Sequence, residues 1–231
     1  MTLPKINAPE YSLVVPSTQV EIKFRPFLVK EEKLLLIAQE TGDEKALYTA
    51  IKNLIHNCCH GQLDVDTMPL FDVEYVFLQL RGKSVGEFAE VLVICPDDGE
   101  TEVKVKVNLN ELTVELPSKD HNKIQLTDDI GIVLRFPNFQ DVATTDEQTS
   151  DTLFDMLVET VQYVYDKENV YNDFTKDEMR SWIENLQQQE FEKINNFFND
   201  VPTLKHKLEW TCSACGKDDF IELEGLQSFF T

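Results

Sequence analysis

The stretch Trp210-Thr-Cys-Ser-Ala-Cys-Gly216 is where a reading of this chain begins. Two cysteines stand three residues apart and a glycine follows. An alternating run (Leu204, Leu208, Trp210) leads in, and a second (Phe220-Ile-Glu-Leu223) leads out. In a strand–turn–strand of this form, backbone N–H groups in the turn point at the sulfurs, and the glycine takes the positive φ that the turn needs. One such knuckle offers only two of the four ligands of tetrahedral zinc. A partner knuckle is found far upstream, at Val93-Ile-Cys-Pro-Asp-Asp-Gly99. There the spacing is Cys-x-x-Asp-Gly, between Phe88–Ile94 and the alternating Val103, Val105 and Val107. Aspartate 98 stands where a fourth thiolate would be. Cys95, Asp98, Cys212 and Cys215 are therefore the expected metal ligands, and zinc the expected ion. Three thiolates with one carboxylate is an uncommon structural set, and the alternative of paired hairpins without a metal stays open. A redox Cys-x-x-Cys would open a helix rather than sit in a β-turn.

Outward from the knuckles, the periodicity predicts an α+β protein. A helical body carries N-terminal strands and a zinc-ribbon-like pair of β-hairpins split across the sequence. Tyr11, Leu13 and Val15, then Val20, Ile22 and Phe24, alternate as strands about Pro16. Helices are expected from Glu31 to Ile37 and after a capping box at Thr41-Gly-Asp-Glu44, with Leu47, Ile51, Leu54 and Ile55 on one face. A third is expected over about Leu70 to Leu80. The hairpin from Phe88 to Val107 carries a polar outer face with Lys104 and Lys106, and Ile124 to Phe136 is extended. Gln140 to Asp151 reads as a linker. Leu153, Leu157, Val161 and Val164 read as a helical stripe, and Thr175-Lys-Asp-Glu178 caps a helical region running to Phe198. The segments are thus 1–87 (strands and helices), 88–137 (first knuckle and strands), 138–203 (helices) and 204–231 (second knuckle and apolar tail), with 88–110 and 204–225 expected to form one ribbon unit.

Composition narrows the function. In 231 residues, 42 acidic side chains oppose 21 basic ones, a formal charge of −21. Such a surface repels phosphate backbones and anionic membranes and suits a basic partner. Lys205-His-Lys207 is the best basic run for a nucleic-acid-linked zinc-ribbon regulator, the alternative reading, and it is short. The opening Met-Thr-Leu-Pro-Lys suggests no secretory leader, and no run approaches the ~18 apolar residues of a membrane span. Five cysteines in a chain of this length point to a reducing compartment. Cys58-Cys-His60, with His56 a turn earlier, reads as a core-facing helix end, with Cys59 or His60 as spare ligands in the functional alternative. No nucleophile has a base near it and no glycine loop cradles phosphate, so no catalytic residue is expected. Asp97-Asp98, Asp128-Asp129 and Asp218-Asp219 read as solvated turns. The apolar end with Phe229 and Phe230 is expected either to fold back or to dock into a partner, and Phe229 and Phe230, with the exposed face of the Lys104/Lys106 strand, are the expected partner contacts.

Three blocks carry a resemblance. They are Leu70-Phe-Asp-Val-Glu-Tyr-Val-Phe-Leu-Gln-Leu-Arg-Gly-Lys-Ser-Val-Gly86 ahead of the first knuckle, Trp210–Gly216 with Gly225-Leu-Gln-Ser-Phe-Phe230, and Val15-Pro-Ser-Thr leading to Phe24-Arg-Pro-Phe27. The chain resembles the T4-like baseplate hub assembly proteins of contractile-tailed bacteriophages over nearly its full length. In that family the first knuckle can carry two cysteines, and Asp98 departs from this, which bears on the metal and not on the fold. The resemblance implies a non-enzymatic role in building the central hub of a tail baseplate, with other phage baseplate hub proteins as partners. The implied location is the host cytoplasm during assembly, or the virion baseplate.

Overall fold

The computed structural model describes residues 7–118, 121–143 and 150–225. It is a mixed α+β structure. The described residues form two compact units, one within Met1–Glu115 and Thr203–Thr231 and the other within Leu116–Pro202.

In the first unit, β1 (Tyr11–Val14) and β2 (Glu21–Phe24) pair antiparallel, Leu13 opposite Ile22, and both of these are buried. Helix α1 (Val29–Thr41) follows. It starts without a hydroxyl cap, because the Glu31 carboxylate accepts from the Leu28 N–H at 2.7 Å. Arg25 holds that carboxylate from the other side, Nη2 to Oε1 at 2.8 Å and Nη1 to Oε2 at 2.9 Å. Helix α2 (Glu44–Cys58) buries Ile51, Leu54 and Ile55. Its cap differs from the expected box: Asp43 accepts from the Lys45 N–H, while Thr41 closes α1 by donating to the Ala38 carbonyl. The residue after Gly42 is better placed than the one before it to reach the orphan N–H groups of α2.

Helix α3 (Leu70–Ser84) is buried on several faces, with Phe71, Val73, Val76 and Phe77 in the core. It also buries Asp72, which accepts from the Ser17 backbone N–H at 3.0 Å and from the Ser17 hydroxyl. Strands β3 (Phe88–Ile94) and β4 (Glu102–Asn108) form one hairpin, and β9 (Lys205–Thr211) and β10 (Asp218–Glu224) another. Strands β4 and β9 approach each other in space.

The second unit has a four-stranded antiparallel sheet in the order β5 (Lys123–Gln125), β6 (Gly131–Leu134), β7 (Val161–Tyr165), β8 (Val170–Tyr171). Two readings of the sequence are corrected here. Part of the expected linker is helix α4 (Phe139–Ala143), and the helical stripe ends with α5 (Ser150–Thr160), after which Val161 and Val164 lie in β7. The i, i+4 spacing is real, but Val-Gln-Tyr-Val-Tyr is β-branched and aromatic, and β6 offers an edge to pair with. The box at Thr175 and Glu178 caps α6 (Lys176–Glu184) as the spacing indicates. The region then divides, and Gln187 with Glu190 opens α7 (Gln188–Asn199). Ile132, Leu134, Leu157, Met179, Ile194 and Phe197 share the core of this unit.

The Arg25–Glu31 clamp recurs in this unit. Arg135 follows β6 as Arg25 follows β2, and Nη1 and Nη2 meet Asp141, again six residues on, at 2.6 and 3.0 Å. The Asn138 N–H, three residues on, donates to the same carboxylate, as the Leu28 N–H does to Glu31. The backbone N–H of each arginine donates to the carbonyl of a helix's last residue, Arg25 to Cys58 of α2 at 3.0 Å and Arg135 to Thr160 of α5 at 2.8 Å.

Candidate metal centre

The two knuckles share one backbone design. The Cys95 N–H donates to the Thr101 carbonyl at 2.9 Å and the Gly99 N–H to the Cys95 carbonyl at 2.9 Å. In the other turn the Cys212 N–H donates to Lys217 at 2.8 Å and the Gly216 N–H to Cys212 at 2.9 Å. Gly99 and Gly216 stand at φ +68° and +72°, where a Cβ would be strained. The first turn is one residue longer before its strands rejoin.

The turns bring Cys95, Cys212 and Cys215 together, with the three sulfurs within 4.8 Å of one another. Cys95 Sγ lies 3.8 Å from Cys215 Sγ across 120 residues of chain. Cys95 and Cys212 are buried and Cys215 is exposed. The Cys212 thiol is drawn below its ordinary range because the backbone N–H groups of Cys215 and Ala214 donate to it. This triad is of the type and arrangement that could hold a metal ion.

The fourth expected ligand, Asp98, is not in that group. Its carboxylate turns to its own loop: Oδ1 accepts from the N–H groups of Glu100 and Thr101 at 2.9 Å each, and Oδ2 takes the Thr101 hydroxyl at 2.5 Å. These bonds hold its pKa down to about 2. Asp97 is not in the group either, but its carboxylate reaches one of the three sulfurs. Asp97 Oδ2 lies 3.9 Å from Cys215 Sγ, while Oδ1 accepts from Lys217 Nζ at 2.6 Å. Spacing within the motif points to residue 98; only the turn's curl brings residue 97 to the other knuckle.

The remaining candidates fall elsewhere. Cys58 and Cys59 are fully buried at the end of α2, where desolvation pushes both thiols up to about 12. His60 lies 3.5 Å from Glu10, and the His56 ring sits beneath Gly61. His121 is half-buried and stacks on Phe197 with ring centroids 5.3 Å apart. In the short basic run, Lys207 sits over the Phe220 ring at 4.6 Å and bonds Glu209, while His206 falls on the opposite strand face. Phe229 and Phe230 lie outside the described residues.

The outer face of the first hairpin is not polar throughout. Phe88, Leu92 and Ile94 are exposed on β3, with Lys106 and Lys104 opposite Glu90 and Leu92. In the second unit a cleft of about 390 Å³ is lined by Val164, Tyr171, Phe174, Met179 and Trp182. Its two carboxylates already serve the fold: Asp166 accepts from Tyr171 and the turn amides, and Glu178 caps α6. No described helix is long and apolar enough to cross a membrane.

Neither the curated proteins nor the solved structures include a match to this chain. The family model described as T4 bacteriophage base plate protein matches residues 8–231, from the strand lead-in through both knuckles. The chain belongs to the T4 bacteriophage base plate protein family.

Proposed function

We propose that this protein acts without catalysis in assembling the central hub of a phage tail baseplate, as an assembly factor or hub component, by binding other baseplate proteins. The family match over residues 8–231 carries this reading. The contact surface is the outer face of the first hairpin, where Phe88, Leu92 and Ile94 are exposed among Glu90, Lys104 and Lys106. Its occupant is a hub subunit with an apolar patch and basic surroundings. A chain of net charge −21 attracts such a surface and shields it until the neighbouring subunits arrive. The work is done in the host cytoplasm during assembly, and the protein either leaves or stays in the finished baseplate.

Copurification from infected cells tests this. Tagged protein is expected to bring down tail hub subunits, and the Leu92→Asp, Ile94→Asp double variant to lose them while its circular dichroism stays unchanged. Recovery of host transcription proteins alone would put the chain in a different class.

A further inference from the structure

We propose that Cys95, Cys212 and Cys215 bind one zinc ion as thiolates and that Asp97, rather than Asp98, supplies the fourth ligand. One sulfur–sulfur distance is already that of a shared tetrahedral ion. Two sulfurs each about 2.3 Å from zinc lie about 3.8 Å apart, and Cys95 and Cys215 are separated by 3.8 Å before any ion enters. The third sulfur lies within 4.8 Å of both. Cys95 and Cys212 are 1% and 2% exposed, so two of the three thiols are shielded from water while Cys215 leaves the site open to an ion.

The donor set also suits zinc chemically. Soft thiolates favour zinc over magnesium or calcium, and carboxylate oxygen is an accepted fourth donor. One Asp97 oxygen is anchored by Lys217 and the other lies 3.9 Å from Cys215 Sγ, so a small turn of the carboxylate toward the ion would complete the set. Lys217 is then the outer partner that orients the ligand and offsets part of the charge of three thiolates and a carboxylate. Asp98, with both oxygens engaged by Thr101 and Glu100, shapes the turn that presents Cys95 and Asp97. Binding releases the thiol protons and ties the two hairpins to one ion, so the metal contributes directly to the stability of the first unit.

The test uses the full-length chain purified under reductant. Elemental analysis is expected to give one zinc per chain, and cobalt titration a tetrahedral spectrum with charge-transfer intensity for three thiolates. Cys215→Ser loses uptake and Cys58→Ser keeps it. Asp97→Asn weakens cobalt affinity by about 10–100-fold. Asp98→Asn, whose amide oxygen still accepts from the same N–H groups, leaves affinity unchanged. Should Cys215→Ser fail to fold, the wild-type cobalt spectrum still counts the thiolates, and a count of two or four overturns the assignment. So does a wild-type chain that takes up no metal, or one that is two mass units light from a Cys95–Cys215 disulfide. An affinity that falls with Asp98→Asn but not Asp97→Asn removes Asp97 from the site.

Discussion

The guanidinium of Arg25 meets the carboxylate of Glu31 end-on, Nη1 and Nη2 each donating to one oxygen at 2.9 and 2.8 Å. Glu31 is 7% exposed, so its charge depends on that partner and on the Leu28 N–H. The pair turns the chain from β2 into α1, and Arg135 with Asp141 does the same between β6 and α4. Each half of the chain therefore opens with a hairpin and a clamped helix start and reaches a knuckle hairpin further on.

Arg25→Met is expected to destabilise the protein by about 3–5 kcal/mol, since it strands a buried carboxylate. The pH dependence should also change sign. In the wild type, the Arg25 bonds hold the Glu31 pKa below its ordinary value of 4.5. Its stabilising contribution is thus present above about pH 4.5 and lost as pH falls through the folded-state value. Without Arg25 burial raises that pKa, and lowering the pH relieves the variant. Urea unfolding midpoints at pH 3.5 to 7 distinguish the two slopes, and Arg25→Lys should recover little because lysine cannot make the fork.

Ser17→Ala should cost about 1–3 kcal/mol, because Asp72 is wholly buried and its described partners are the Ser17 hydroxyl and N–H. Burial already raises the Asp72 pKa despite these bonds, so the loss should be largest near neutral pH and smaller in acid. Denaturant titration at two pH values checks this.

Gly131→Ala is expected to destabilise the second unit by displacing the Tyr165 side chain. A Cβ there would overlap the Tyr165 ring on the paired strand. Gly131→Ala with Tyr165→Val, which removes the ring, should recover most of the loss, as measured by thermal unfolding; independent effects at the two positions would exclude this contact.

Cysteine reactivity should divide by environment. In the native chain treated with a chelator, alkylation at neutral pH should label exposed Cys215 ahead of Cys58 and Cys59, which are buried with thiols pushed up to about 12 and stay unlabelled until unfolding. Peptide mass spectrometry after timed quenching reads the order directly.

Much of the fold is legible in the residues because its signals are local. Alternation in Leu13–Val15 and Val103–Val107, the Thr175–Glu178 box and the Cys-x-x-Cys-Gly turn each report a preference satisfied within a few residues. The readings that failed were those where a local pattern competed with a distant partner. Leu157 to Val164 has helical spacing, but pairing with β6 ends the helix at Thr160. The clamps were legible and missed: an arginine after a four-residue strand, with an acid six residues on, occurs at 25–31 and again at 135–141.

The sequence by itself determined the knuckle turns, since Gly99 and Gly216 must take positive φ and the flanking strands must alternate. It also carried the family pattern matched from residue 8 to 231. The three cysteines that meet were also legible, as the paired knuckles; only the tertiary structure decided which acid lies beside Cys215. That choice depends on how two turns more than a hundred residues apart pack, and on Thr101 engaging Asp98 while Lys217 engages Asp97. Sequence spacing sets what a turn can present; the packing of the facing turn sets what it meets.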